Sequence, residues 1–122
     1  MNIPDDIRVD LSGLKAIRKE LHRYPEIGLE ERRTAEMIGD HLAALGYQVH
    51  RGLAKTAVVG TLQNGGSNHA IGLRADMDGL PIREQTGLVY ASQNPGKMHA
   101  CGHDGHMAML LGAAKTIAKR RR

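Results

Sequence analysis

The fold class is decided by one stretch of the sequence, residues 47–74, which reads YQVHRGLAKTAVVGTLQNGGSNHAIGLR. Short runs rich in Val, Ile and Leu at 47–50, 57–63 and 69–74 predict three strands. The turn sequence NGGS at 64–67 separates the second run from the third. A turn of this composition predicts that these two runs form a hairpin.

Helices are predicted on both sides of the strands. Apolar residues recur at helical spacing over residues 10–24, 30–45 and 104–119. Pro25 ends the first of these helices, because the residue before a proline avoids the helical conformation. The order of elements predicts an α/β fold, and the predicted hairpin favours a mixed sheet. The irregular stretch 76–100 is long for so small a domain, and such loops are commonly functional.

Charge and cysteine content restrict the classes of protein that fit. The formal net charge is +4, and the run KRRR at 119–122 alone carries four positive charges, which favours a solvated basic end over a nucleic-acid surface. Cys101 is the only cysteine, so no internal disulfide can form. No apolar run approaches the roughly 20 residues that cross a bilayer, and the acidic start lacks the layout of a secretory signal. These features predict a cytoplasmic protein without a membrane partner.

The segment MHACGHDGH, residues 98–106 and called the motif segment below, concentrates the residues with metal chemistry. Cys101 and His103 carry the thiolate and imidazole groups that bind zinc and similar ions. In an extended segment, side chains two residues apart point the same way, so both can face one ion. The alternative is that a lone cysteine is simply a small buried apolar residue.

Asp104 and His106 are the next candidates in the motif segment. Asp104 stands where a helix begins, so its carboxylate can cap that helix or orient a histidine ligand from behind. His106 is a candidate for a supporting role beside the metal ligands. With Cys101 as nucleophile, His103 or His106 as base would define a thiol enzyme, a weaker hypothesis because no separate orienting group is evident.

Two further segments carry polar groups at the ends of predicted elements. Asp76 and Asp78 follow directly on the predicted strand 69–74, where α/β proteins commonly place active sites. The alternative for these carboxylates is an ordinary turn. His22 and its neighbours end the first predicted helix, where favourable interaction with the helix dipole is an adequate explanation.

Together, three segments resemble a known family. They are HRYPEIGLEE at 22–31, LRADMDGLPI at 73–82 and MHACGHDGHMAMLLGAA at 98–114. In this order and at these distances they resemble the metal-dependent amidohydrolases that include hippurate hydrolase, the N-acyl-amino-acid aminoacylases and the indole-acetyl-amino-acid hydrolases. The similarity extends from about residue 10 to residue 118.

The resemblance implies a fold, a metal centre and a reaction. The fold would be part of a three-layer, metallopeptidase-like α/β catalytic domain with a mixed sheet. Cys101 and His103 match metal ligands of a site that holds two divalent ions, usually manganese or zinc. Asp78 matches a catalytic carboxylate that orients a ligand or tunes the site, and Asp76, Asp104 and His106 would support the ligands. The reaction would be hydrolysis of the amide bond of an N-acyl amino acid, a small-molecule substrate, in a parent protein that can form homo-oligomers.

Part of the family pattern is missing from the sequence. Three parts of that pattern have no counterpart in the 122 residues: the Glu-Glu pair that contains the general base, two later histidine ligands, and the lid or dimerisation domain. We therefore expect residues 1–122 to be an amino-terminal part of the catalytic domain, inactive alone. The alternative from another class is a truncated, non-enzymatic remnant with residual metal binding.

Overall fold

The computed structural model describes residues 2–8 and 10–121, so Arg122 of the basic run lies outside the described residues. The elements, in chain order, are α1 (Asp5–Arg8), α2 (Leu11–Arg23), α3 (Arg32–Ala44), β1 (Gln48–Leu53), β2 (Ala57–Thr61) and α4 (His103–Arg120). The three predicted helices are confirmed to within two residues at each end, whereas the short α1 was not predicted. Helices together with a small sheet confirm the α/β class.

The hairpin lies earlier in the chain than the sequence predicts. β1 and β2 pair antiparallel, with Gln48 opposite Thr61, and a register shift lies between Arg51 and Leu53. The connection holds Ala54 and Lys55 at positive φ, 46° and 75°. This backbone conformation is uncommon for residues with a side chain and suits a tight turn.

The predicted hairpin through residues 64–67 is therefore wrong, and residues 69–74 do not form a strand. Ile71 is 92% exposed and Leu73 is 56% exposed. A strand is stabilised by a neighbour that takes up its hydrogen bonds and covers one face. Within residues 2–8 and 10–121, segment 69–74 lacks such a neighbour.

The core lies between α2 and α4. Leu21 of α2 and the apolar side of α4 are almost completely buried, the latter through Met107, Leu111 and Ala114. Burying a Leu or Met side chain contributes roughly 1.5–3 kcal/mol. Gly112 permits close approach of the two helices, since a Cβ placed there would lie 2.7 Å from Leu14 Cδ1. This packing fixes where α4 begins.

Backbone contacts bring the three family-like segments together. Gly79 N donates to Glu26 O at 2.7 Å, and Leu80 forms a bridge with Met98 in which each amide donates to the other's carbonyl oxygen. Asn94 Nδ2 donates to Pro25 O at 2.8 Å. The long irregular stretch thus connects the end of α2 to the start of α4.

The basic end is partly paired at the surface and not simply solvated. Lys119 Nζ lies 3.2 Å from Asp10 Oδ2, and Arg120 Nη2 lies 2.9 Å from Asp6 Oδ2. Lys115 Nζ, one turn earlier, is 2.6 Å from Asp10 Oδ1. These pairs hold the start of the chain against α4.

Among the described helices, none is long and apolar enough to cross a membrane.

Candidate metal centre

His103, the first residue of α4, is oriented by Asp78. Its Nδ1 lies 3.0 Å from Asp78 Oδ1 and 3.0 Å from the Asp78 carbonyl oxygen. Both of these oxygens accept, so Nδ1 is the nitrogen that carries the proton. In the neutral ring this leaves a lone pair on Nε2. A histidine held through one nitrogen by a carboxylate or carbonyl, with the other nitrogen free to bind, is the usual arrangement behind metal-ligating imidazoles.

Cys101 lies two residues before His103 but not on an extended strand. The chain turns at residues 101–102, and Gly102 has φ +83° before α4 begins. The expected alternation of side chains therefore does not apply to this pair. The Cys101 thiol is exposed, so the alternative of a small buried apolar cysteine is wrong. Its role as a metal ligand stays a prediction.

One of the two sequence interpretations proposed that Asp104 caps α4, and this interpretation is wrong. Gly102 occupies the cap position without a side-chain hydrogen bond. The Asp104 carboxylate is 1% exposed and turns towards α2, where Oδ2 lies 2.8 Å from His22 Nδ1 and 2.8 Å from Arg18 Nε. The reason is charge: α2 presents two donors on one face, and a buried carboxylate is retained only when it is paired.

Glu84 was missed by the sequence interpretation, and His22 was interpreted only as the end of a helix. The His22 ring is 3% exposed, and its Nε2 lies 2.9 Å from Glu84 Oε1. Glu84 also accepts from Thr86 Oγ1 and from Ser92 N, both at 2.6 Å. His22 is therefore a bridge between two carboxylates and not merely the end of a helix. The available signal was the spacing of Arg18 and His22, four residues apart and so on one face of α2.

His99, also missed, is buried without partners. It is 4% exposed, and neither of its ring nitrogens has a hydrogen-bond partner among the described residues. Asp104 Oδ1 is likewise buried without a described partner. Burial lowers the pKa of His99 below its ordinary value, an effect that the Asp104 carboxylate partly opposes. This burial favours the neutral form of His99, which lies within the motif segment.

The remaining candidates lie at the surface. Asp76 is paired with Arg74 and is 42% exposed. His106 is exposed, and its ring centroid is 5.8 Å from that of His103. Of the two carboxylates in LRADMD, Asp78 is thus the one that contacts the motif segment.

The donor groups fit part of a metal centre. Across residues 2–8 and 10–121, no group of three or more His, Cys, Asp and Glu side chains is arranged to hold an ion. Zinc takes four ligands, and a catalytic site commonly uses three from the protein. A thiol and an oriented imidazole are suitable donors for such an ion, and they need further ligands to complete its coordination.

Two open depressions lie along α3 and not at the motif segment. They measure about 560 and 400 Å³ and share Glu36 and Asp40 in their walls. No predicted site residue lines either depression. The candidate site in this chain is therefore a surface formed by the start of α4 and the Asp78 turn.

Comparison with known proteins finds matches among amidohydrolases and peptidases. Residues 72–122 match the model of Peptidase family M20/M25/M40. The matched residues include the Asp78 turn and the motif segment. The resemblance read from the three segments is confirmed, and the chain is related to this family in sequence and in fold.

Individual relatives agree with this. Hippurate hydrolase of Campylobacter jejuni is 48% identical over 119 residues, which are 97% of this chain and 31% of that protein. N-acyl-L-amino acid amidohydrolase of Geobacillus stearothermophilus is 41% identical over 96% of this chain and 31% of its own length. The structure of Bacillus subtilis YXEP protein, a dinuclear metal binding peptidase from the M20 family, superimposes with a TM-score of 0.88 at 36% identity, over 93% of this chain and 32% of that one. The chain thus spans about a third of the length of the relatives it matches.

Proposed function

We propose that this chain contributes to the metal centre of an enzyme that hydrolyses the amide bond of N-acyl amino acids, as hippurate hydrolase and the aminoacylases do. The observation that carries the proposal is the pairing of His103 Nδ1 with Asp78, because it leaves Nε2 available to an ion. The family match over residues 72–122 supports the same assignment.

Each site residue has a separate task in this proposal. Cys101 and His103 hold the metal through sulfur and Nε2, while Asp78 keeps the His103 ring in one tautomer and one orientation. Asp104 anchors the start of α4 from behind, and the exposed His106 and Asp76 lie at its border. Divalent ions of this kind supply a water molecule that is nucleophilic at neutral pH and polarise the amide carbonyl.

The finer features of the proposal rest on chemistry and on the relatives. Two ions per complete site, manganese or zinc, suit a thiol, an imidazole and carboxylates together. The substrate is a small N-acyl amino acid, with no nucleic-acid or membrane partner, and the complete protein can be a homo-oligomer. A cytoplasmic location suits a single exposed thiol, which a reducing compartment preserves.

The 122 residues alone do not complete this machinery. In this proposal they supply two metal ligands, Cys101 and His103, and no general base. Proton transfer by a positioned general base contributes about 10²- to 10⁴-fold to such reactions. We therefore expect the isolated polypeptide to bind metal weakly and to release no glycine from hippurate. A non-enzymatic remnant is the alternative if the protein made by its own cells is equally inactive.

The proposed function can be tested on protein purified from the cells that naturally make it. We expect hydrolysis of hippurate that a chelator abolishes and that added Mn²⁺ or Zn²⁺ restores. Cys101→Ser and His103→Ala should each lower the rate at least 100-fold, since removal of one ligand disturbs the ion on which the reaction depends.

His50→Ala is the matched control for His103→Ala, because His50 is exposed on β1, away from the motif segment. It should leave the rate unchanged. Hydrolysis that resists chelator but is lost on alkylation of Cys101 would instead support a thiol enzyme, and no hydrolysis at all would support the remnant.

A further inference from the structure

His22 is the most completely bonded histidine behind the candidate site. Its two ring nitrogens face two different carboxylates, Asp104 Oδ2 at 2.8 Å and Glu84 Oε1 at 2.9 Å. Each ring nitrogen thus has a carboxylate partner of its own, and all three side chains are at most 4% exposed.

The two bonds of His22 reach different parts of the fold. Through Nδ1 the ring holds Asp104, the second residue of α4, directly after His103. Through Nε2 it holds Glu84, which also gathers Thr86 and the Ser92 amide in the long irregular stretch. One bond thus acts on the helix that begins with the predicted ligand, and the other acts on the loop.

The bonds to Asp104 matter for the start of α4 because, in the part of the chain that the structure describes, this helix has no side-chain cap. Its cap residue is Gly102, which has no side chain to accept from the first turn. The Asp104 carboxylate, held by His22 and Arg18, fixes the first turn from the side. The position of that turn decides whether His103 Nδ1 reaches Asp78, 25 residues away in sequence.

We propose that His22 is a positioning residue: through its Nδ1 bond to Asp104 it sets the first turn of α4 and hence the orientation of the His103 ring towards Asp78. The proposal deepens the proposed function, on which its consequence for metal binding rests. The contact with Glu84 stabilises the loop and does not orient His103.

Two substitutions separate the two bonds. The amide nitrogen of Asn occupies about the place of histidine Nδ1, and that of Gln about the place of Nε2, so each variant keeps one donor and loses the other. His22→Asn keeps the bond to Asp104, whereas His22→Gln keeps the bond to Glu84. The Arg18 bond to Asp104 is present in both variants.

The measurement is the NMR spectrum of the His103 ring nitrogens in metal-free protein. The protein is labelled with ¹⁵N-histidine and purified from the cells that naturally make it. We expect the wild type and His22→Asn to give the same His103 signals, with the proton on Nδ1. His22→Gln should shift them and mix the two tautomers. Affinity for Co²⁺, followed by the absorption that a thiolate ligand produces, should be kept by His22→Asn and fall about 10- to 100-fold in His22→Gln.

Every outcome decides between positioning and mere support of the fold. Equal His103 signals in both variants, equal disturbance in both, or disturbance only in His22→Asn would overturn the proposal, whatever the change in thermal stability. Because the His103 signals are read without metal, a wild type that binds no Co²⁺ would count against the proposed function and leave the test of His22 intact. His50→Gln serves as the control for substitution of an exposed histidine.

Discussion

At the scale of single residues, the polar side chains behind α4 differ in how completely they are bonded. Glu84 accepts three hydrogen bonds, whereas His99 has none. A buried polar group without a partner costs free energy unless a water molecule or further chain satisfies it. The bonded groups therefore stabilise this part of the fold.

Glu84 gives the protein a specific acid sensitivity. Burial alone would raise the pKa of this carboxyl, but the bonds from Thr86, His22 and the Ser92 amide outweigh it and lower the pKa to about 2, from 4.5. Because the folded pKa is depressed, the contribution of Glu84 to stability is fully present above pH 4.5 and is lost as the pH falls through about 2.

We predict that Glu84→Gln lowers the free energy of unfolding at pH 7 and flattens its fall between pH 4.5 and 2. Chemical unfolding monitored by circular dichroism at a series of pH values measures this. The exposed Glu36→Gln should keep the wild-type slope. A Glu84→Gln curve parallel to the wild type over this range would refute the assignment of the low pKa.

At the scale of elements, the packing of α2 on α4 is the contact on which the site depends. Gly112 and Gly105 both lie within α4, but only Gly112 faces α2. A methyl group at Gly105 meets nothing within 4 Å, while at Gly112 it would lie 2.7 Å from Leu14 Cδ1. The two positions therefore separate helix propensity from packing.

We predict that Gly105→Ala stabilises the protein by about 0.5–1 kcal/mol, the usual gain in helix propensity. Gly112→Ala should be less stable than Gly105→Ala by about 1 kcal/mol or more, because it overpacks the contact with Leu14. Thermal and urea unfolding of the pair measure the difference. Equal stabilisation by both would mean that Leu14 moves aside without cost.

The elements also show what sequence can predict here. Helices were predictable because their apolar spacing is local, as in the stripe that includes Met107 and Leu111. The strand at 69–74 was not, because a strand depends on a partner that local composition does not reveal. The contact of Asp78 with His103 was expected from the family resemblance. The bridge through His22 was not, because it joins His22 to Glu84, 62 positions later, and to Asp104, 82 positions later. Its only signal in the sequence was the spacing of His22 and Arg18.

At the scale of the whole molecule, large apolar side chains remain exposed on one segment in the middle of the chain. Ile71 and Leu73 lie on the segment 69–74, which is not paired with a strand within residues 2–8 and 10–121. An extended apolar segment of this kind promotes edge-to-edge association.

We predict that the isolated 122-residue polypeptide associates as its concentration rises, measured by analytical ultracentrifugation. Ile71→Lys should suppress the association, since a charge on the segment opposes pairing. Val89→Lys is the control, because Val89 is 95% exposed but lies outside this segment. Equal suppression by both would point to general solubility and not to strand pairing.

The distance along the chain between α2 and α4 also has a consequence for synthesis. α2 ends at Arg23, 80 residues before α4 begins at His103, and α4 supplies the buried apolar side chains that pack against α2. At a ribosomal rate of about 5–20 residues per second, α2 waits roughly 4–16 s for its partner. During translation the apolar face of α2 is therefore not covered by α4 for that time, and the site can assemble only after α4 has left the exit tunnel.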